Sequence, residues 1–312
     1  MQARQWVIWA MPLLITLFVV AAIMYGLTIF MMARMLTRPP RLTDARALAR
    51  LNRMSPADIG LDFETCNFIV RDERTGRRIR LAAWWIEKQN SDRCAILIHG
   101  YADAKVGAIA WAPLLCDLGW NVLAVDLRGH GESDCKDTTA GYFERYDLSQ
   151  LIDQLRSARP RQTLKILLFG ISMGAAVAAA VADLRPDVHS IILESPYAHF
   201  RDAAREHANM MGLPGLTFIH PAFKIAQRMT HARFDEVDPL TIIPQINCPV
   251  LIISARQDVL VRDKARKLLQ DVISQRKDGS CYREIDAEHV LCLPAQPEVY
   301  RAQIEQFLNK IP

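Results

Sequence analysis

A strand-length apolar run, Leu164 to Phe169, breaks into Gly170-Ile171-Ser172-Met173-Gly174 and continues as an alanine-rich segment through Ala180. No other stretch constrains the chain as tightly. Strand, sharp turn and helix in that order give the pentapeptide its meaning. Small residues on either side of the serine let a strained turn form without side-chain clashes, which lifts Ser172 onto its tip. The helix N-terminus beneath it offers free N–H groups and a dipole that favour developing negative charge. The bland reading of the same residues is a tight turn that happens to hold a serine.

The surrounding pattern supplies the context. Strands are expected at Cys66–Arg71, Arg77–Glu87, Cys94–Ile98, Asn121–Asp126, Val188–Glu194, Val250–Ser254 and Cys281–Ile285. Helices are expected near Val106–Leu118, Tyr142–Ala158, Arg262–Ser274 and Glu298–Asn309. Strands that alternate with helices predict an α/β fold, a mostly parallel sheet covered on both faces. At 312 residues the chain holds one large domain of this kind with a short appendage to spare.

That appendage is N-terminal. Trp6 to Ala33 contains no charged residue over 28 positions, whereas about 20 apolar residues suffice to span a bilayer as a helix. A signal peptide would carry a shorter apolar region and a small-x-small cleavage site. An uncleaved single-pass anchor is therefore expected, with Trp6 and Trp9 marking one interface and Tyr25 a third amphipathic ring within the stretch. Only Arg4 and the amino terminus precede the span. Arg34, Arg38, Arg41, Arg46, Arg50 and Arg53 follow it, opposed only by Asp44. Positive charge stays on the cytoplasmic side, which predicts a cytoplasmic main domain. Arg38-Pro39-Pro40 should end the helix. The expected organisation is an anchor over 1–40, a juxtamembrane linker over 41–59 and the main domain over 60–312.

Charge is nearly balanced, 38 Lys+Arg against 34 Asp+Glu, so nothing in it predicts a nucleic-acid partner. Seven scattered cysteines include several inside apolar runs and suggest no disulfide framework, which fits a reducing compartment. No CxxC, HExxH or close Cys/His cluster suggests a metal.

A serine hydroxyl needs a base, usually a histidine held by a carboxylate. Ligands gather at the carboxyl ends of strands in such sheets. Of eight histidines, His289 follows the last strand in Asp286-Ala287-Glu288-His289. His99 and His130 sit in glycine loops better suited to shaping backbone, and His189 begins a strand at the wrong end. For the orienting acid, Asp258 follows the Val250–Ser254 strand; Glu194 is its rival, and Asp263 comes one helical turn too late. The oxyanion of a tetrahedral intermediate needs two N–H donors, expected from Met173 and from Tyr101 after the Cys94–Ile98 strand.

His99-Gly100-Tyr101, Asp126-Leu127-Arg128-Gly129-His130-Gly131, the Ser172 pentapeptide, Asp258 and His289, in that order, resemble the α/β-hydrolase superfamily over about residues 60–312. Pro56-Ala57-Asp58-Ile59-Gly60-Leu61 and Trp84-Trp85, behind a membrane segment, resemble more narrowly the membrane-anchored serine aminopeptidase-like (Bem-type) bacterial hydrolases. The resemblance implies an esterase or lipase mechanism and leaves the substrate open. Tyr101 departs from the family's pattern, in which small or amide residues are common there, and its bulk would narrow the acyl site.

A cap insertion is expected at about 199–240, where Met210, Met211, Leu213, Leu216 and Phe218 mix with basic residues. Met211 and Phe218 are the residues expected to line an acyl-binding lid, since Met and Phe make adaptable apolar walls; an ordinary helical cap with its own core is the plain alternative. The expected function is a cofactor-free serine hydrolase of a small or lipid-like ester, or an acyl thioester. An amidase or aminopeptidase on the same residues is the runner-up, and a non-catalytic membrane-tethered interaction module the alternative of another kind. No feature of the sequence fixes the oligomeric state.

Overall fold

The computed structural model describes residues 2–311, with side-chain environments from residue 11 onward except at position 44. The interfacial placement expected of Trp6 and Trp9 concerns side chains outside the described residues.

Eight strands form one sheet: β1 Glu64–Arg71, β2 Arg78–Ile86, β3 Arg93–Ile98, β4 Asn121–Val125, β5 Lys165–Ile171, β6 Ser190–Glu194, β7 Val250–Ala255 and β8 Cys281–Ile285. Their order is β1-β2-β4-β3-β5-β6-β7-β8. β1 pairs antiparallel with β2 and β2 with β4, while β4 to β8 run parallel. Alternation along β5 explains why helices cover both faces. Ile166 and Leu168 enter one core while Leu167, Phe169 and Ile171 enter the other. Parallel strands buried on both sides read as such continuous apolar runs.

Among the described residues twelve α-helices accompany the sheet: α1 Gln2–Thr37, α2 Asp44–Leu51, α3 Lys105–Ala108, α4 Ala112–Asp117, α5 Glu144–Ala158, α6 Met173–Leu184, α7 Phe200–Met210, α8 Gly215–Thr230, α9 Pro239–Ile242, α10 Asp263–Ser274, α11 Cys292–Ala295 and α12 Pro297–Lys310. The core on one face takes in α5, α6 and the α7–α8 pair, and that on the other α3, α4 and α12. The single helix expected over Val106–Leu118 is broken into α3, a 3₁₀ turn at Ile109–Trp111, and α4. Pro113 sits in the first turn of α4, the position where its missing N–H costs nothing. In the interior of an unbroken helix over Val106–Leu118 it would have removed a hydrogen bond.

The stretch at 199–240 holds α7 and α8. Their core is aromatic, with Phe200, Phe223 and Phe234 mutually 5.1–5.6 Å apart between ring centroids. Helix α1 ends at Thr37, just before Arg38-Pro39-Pro40, and its Met11–Thr37 portion is long and apolar enough to cross a membrane. It is not apolar on one face only. Residues from Met11 to Tyr25 expose large apolar side chains, whereas Ile29, Met32 and Ala33 are buried in the main core.

Candidate active site

The Gly-x-Ser-x-Gly turn is built by close approach. A Cβ on Gly170 would lie 2.2 Å from the Gly174 carbonyl oxygen, and one on Gly174 would lie 2.1 Å from that of Ile98. Only glycine fits between strand and helix there. Ser172 takes φ 53°, ψ −113°, a backbone conformation that costs a non-glycine residue about 1–3 kcal/mol. Its amide donates to the Glu194 carbonyl at 2.8 Å, and α6 begins at the next residue. The strained residue is thus pinned from the neighbouring strand.

Ser172 Oγ lies 2.9 Å from His289 Nε2, and His289 Nδ1 lies 2.5 Å from Asp258 Oδ2. The three residues come from the ends of β5, β7 and β8, separated by 117 and 31 positions in the chain. The other Asp258 oxygen accepts the amides of Leu260 at 2.8 Å and Val261 at 2.9 Å. One carboxylate therefore closes its own loop and faces the imidazole. Because Nδ1 meets a carboxylate, it carries the hydrogen, which leaves Nε2 as an acceptor toward Ser172.

Tyr101, Ser172 and Met173 line one cavity. Gly100 brings the Tyr101 loop against the nucleophile turn; a Cβ there would lie 3.4 Å from Ser172 Cβ. The loop histidines hold backbone. His99 Nε2 accepts the Leu127 amide at 3.0 Å while Nδ1 meets the Gly100 carbonyl at 2.8 Å, and burial holds its pKa well below the ordinary value, so it stays neutral. His130 Nδ1 meets the Arg128 carbonyl at 3.0 Å.

Glu194, the sequence rival of Asp258, is turned the other way. It is fully buried and accepts from Tyr300 Oη at 2.8 Å, and Tyr300 in turn accepts from Trp111 Nε1 at 2.8 Å. Burial pushes its carboxyl from the ordinary 4.5 up to about 7, against the opposing hydrogen bonds from Tyr300 and Cys292. The folded state therefore keeps this proton over a range in which the unfolded chain has lost it. Stability falls as pH rises from about 4.5 to about 7, by up to roughly 3 kcal/mol. Glu194→Gln removes that contribution. Its stability relative to the unsubstituted chain should rise across the same interval and then level off, measured by unfolding in detergent at several pH values. A difference independent of pH would reject the assignment.

The cavity measures ≈ 140 Å³ and is almost wholly apolar. Met211 lines it. Phe218 does not: its neighbour Ile219 takes the wall position, and the Phe218 ring packs 5.2 Å from that of Tyr25 on α1. Adjacent residues on a helix point about 100° apart, so the apolar pattern alone could not say which of the two faced inward. Several wall residues carry no motif: Met32, Met35 and Leu36 on α1, Tyr197 and Phe200 after β6, and Leu260. Of these only Leu260, two residues beyond Asp258, had a signal in the sequence. Tyr197 Oη is buried with no hydrogen-bond partner among the described residues.

A family model described as serine aminopeptidase, S33, matches residues 89–238. YqkD, an uncharacterized Bacillus subtilis protein, is 27% identical over 235 residues, 74% of this chain and 76% of its own. The lysophosphatidylserine lipase ABHD12 of Danio rerio is 29% identical over 207 residues, covering 62% of this chain and 51% of the zebrafish protein. The match thus spans about half of that relative's length. The structure of the Pyrococcus furiosus esterase Pf2001 superposes with a TM-score of 0.70 at 24% identity, over 88% of this chain and 99% of that one. That last likeness is one of fold.

Proposed function

We propose that this chain, which has the α/β-hydrolase fold with its eight-stranded sheet and matches a serine aminopeptidase family model over residues 89–238, is a membrane-anchored hydrolase of carboxylic esters with a lipophilic acyl group. The observation that carries this reading is the line Ser172 Oγ–His289–Asp258, with links of 2.9 and 2.5 Å, at the edge of an apolar cavity.

In this reading Ser172 Oγ attacks the ester carbonyl as His289 Nε2 takes its proton. The carbonyl oxygen becomes an oxyanion facing the Met173 and Tyr101 N–H groups, each such donor being worth about 2.7–4 kcal/mol. The imidazolium gives its proton to the departing alkoxide, leaving an acyl-Ser172. Water, deprotonated by the same imidazole, attacks the acyl group; collapse returns Ser172 and releases the carboxylic acid. Asp258 fixes the tautomer and faces the charge that His289 gains. No step calls on a cofactor.

Two features favour an ester over the alternatives. An aminopeptidase needs an acidic group for the substrate amine, and no Asp or Glu lines the cavity. A binding module has no use for the strained backbone of Ser172. The lipase name of the zebrafish relative supports a lipid ester. A fluorophosphonate probe should label Ser172 in the full chain, and an ester panel of rising acyl length should be cleaved faster than matched amides. Amides cleaved faster than esters would reject the reading.

Helix α1 is the proposed anchor, with the hydrolase domain on the cytoplasmic side, a reading the arginine asymmetry supports. Two of those arginines also grip the domain: Arg38 pairs with Asp137 at 2.5 Å, and Arg41 donates to the Gly131 carbonyl at 2.7 Å. Replacing them would perturb packing as well as topology. The cleaner test is a C-terminal alkaline phosphatase fusion of the unsubstituted chain in a bacterial host. It should be inactive, and strong activity would place the domain outside.

A further inference from the structure

Helix α1 reaches the active site. Met32, Met35 and Leu36 line the same cavity as Ser172 and Met173. The Tyr101 hydroxyl donates to the Met35 carbonyl, so the side chain of the loop facing Ser172 is tied to this helix. Two residues further, the Thr138 amide donates to the Thr37 carbonyl at 2.7 Å, and Thr138 Oγ1 lies 3.8 Å from Met173 Sδ. A tether that only held the domain near a surface would need none of these contacts.

The depth of the contact follows from helix geometry. Tyr25 meets the domain, its ring against Phe218 and its hydroxyl donating to the Thr217 carbonyl at 3.2 Å, while the large apolar side chains described before it, from Met11 to Met24, are exposed. The uncharged residues 6–24 precede Tyr25. At about 1.5 Å per residue they make roughly 28 Å of helix, close to a hydrocarbon core of about 30 Å. The start of α8 then sits where the chain leaves the hydrocarbon. The end of α7, the turn after it and the start of α8 present Met210, Met211 and Leu216, 61%, 49% and 81% exposed, next in the chain to the Thr217 and Phe218 that touch Tyr25. Met211 is both exposed there and part of the cavity wall.

We propose that the inner end of α1 is a wall of the acyl site, and that an amphiphilic ester lodged in the leaflet slides its acyl chain directly from bilayer to cavity along the seam between α1 and the α7–α8 turn. This rests on the ester-hydrolase reading above and on α1 crossing the membrane. Met32, Met35 and Leu36 thereby set acyl-chain length. The head of the substrate stays on the domain side of the seam, where Ser172 meets the ester carbonyl.

The test uses the full chain in phosphatidylcholine vesicles, with p-nitrophenyl butyrate and p-nitrophenyl palmitate as probes. Met32→Trp and Leu36→Trp fill the cavity from the α1 side. Each should lower the palmitate-to-butyrate ratio of kcat/KM by about tenfold or more, within the range that one or two methylenes command in an apolar pocket. Phe18→Trp, on the part of α1 that stands clear of the domain, should leave the ratio within about twofold. An unchanged ratio in the cavity variants, or an equal shift in Phe18→Trp, would overturn the proposal. A second measurement does not depend on how the variants fold. A long-chain alkyl fluorophosphonate with a terminal diazirine, reacted with the unsubstituted chain and irradiated, should crosslink to the peptide carrying Met32–Leu36. Ser172 labelled with adducts only on α7 and the β6 loop would overturn the α1 wall while leaving the esterase intact. A chain that neither takes the probe nor cleaves either ester would overturn the esterase reading, and the acyl wall with it.

Discussion

Ser172→Ala and His289→Ala should each lower kcat on a susceptible ester by roughly 10⁶-fold, and the double variant should be little worse than either alone. The non-additivity follows from the chemistry. Without the base, the hydroxyl is a poor nucleophile; without the hydroxyl, the base has only water to activate. Both variants should remain folded. Alanine at 172 keeps the same strained φ of 53° that serine already bears, and it removes no backbone hydrogen bond. Loss of His289 strips one partner from Asp258, whose other oxygen still accepts the amides of Leu260 and Val261. Turnover and thermal unfolding measured on the same preparations separate the two effects. Additive losses in the double variant, or residual turnover above about a hundredth of the unsubstituted rate in either single one, would remove these residues from the reaction.

What the sequence could say about this site depended on how local each signal was. The Ser172 turn was legible because strand, glycines and helix are contiguous, and the steric reason for the glycines acts across four residues. His289 and Asp258 were reachable by a topological argument, since both follow strands at the carboxyl edge of a parallel sheet. Glu194 met the same criterion and yet faces Tyr300, which Trp111 holds from its other side. Side-chain direction at a strand end depends on pleat and register, which a list of strands does not carry. Helix α1 illustrates the opposite limit. Its composition marks an apolar helix, and nothing in that composition distinguishes a residue standing clear of the domain, such as Phe18, from one facing the cavity, such as Met32. Lipid tails and protein core select the same side chains. The exchange of Ile219 for Phe218 at the wall has the same origin, one step around a helix that is apolar on more than one face.

Asp258→Asn should lower kcat by about 10⁴-fold, less than loss of either partner but far more than an isosteric change at the surface. The local hydrogen bonds say which way the new amide would point. Leu260 and Val261 both present N–H groups to Oδ1, so an asparagine must offer them its oxygen, and its NH₂ then faces His289 Nδ1. An NH₂ group there donates where the carboxylate accepted. The imidazole is driven to the tautomer with hydrogen on Nε2, which cannot take the Ser172 proton. Asp258→Ala imposes no tautomer and leaves room for water beside Nδ1, so it should be no worse than Asp258→Asn despite removing more of the side chain. Comparing kcat for the two variants with that of Glu194→Gln therefore tests the acid directly. Glu194→Gln should keep turnover, because its carboxyl touches neither Ser172 nor His289 and already carries a proton below a pH of about 7. Near-normal turnover in Asp258→Asn together with an inactive Glu194→Gln would mean that the carboxylate serving His289 during catalysis is not the one that faces it in this structure.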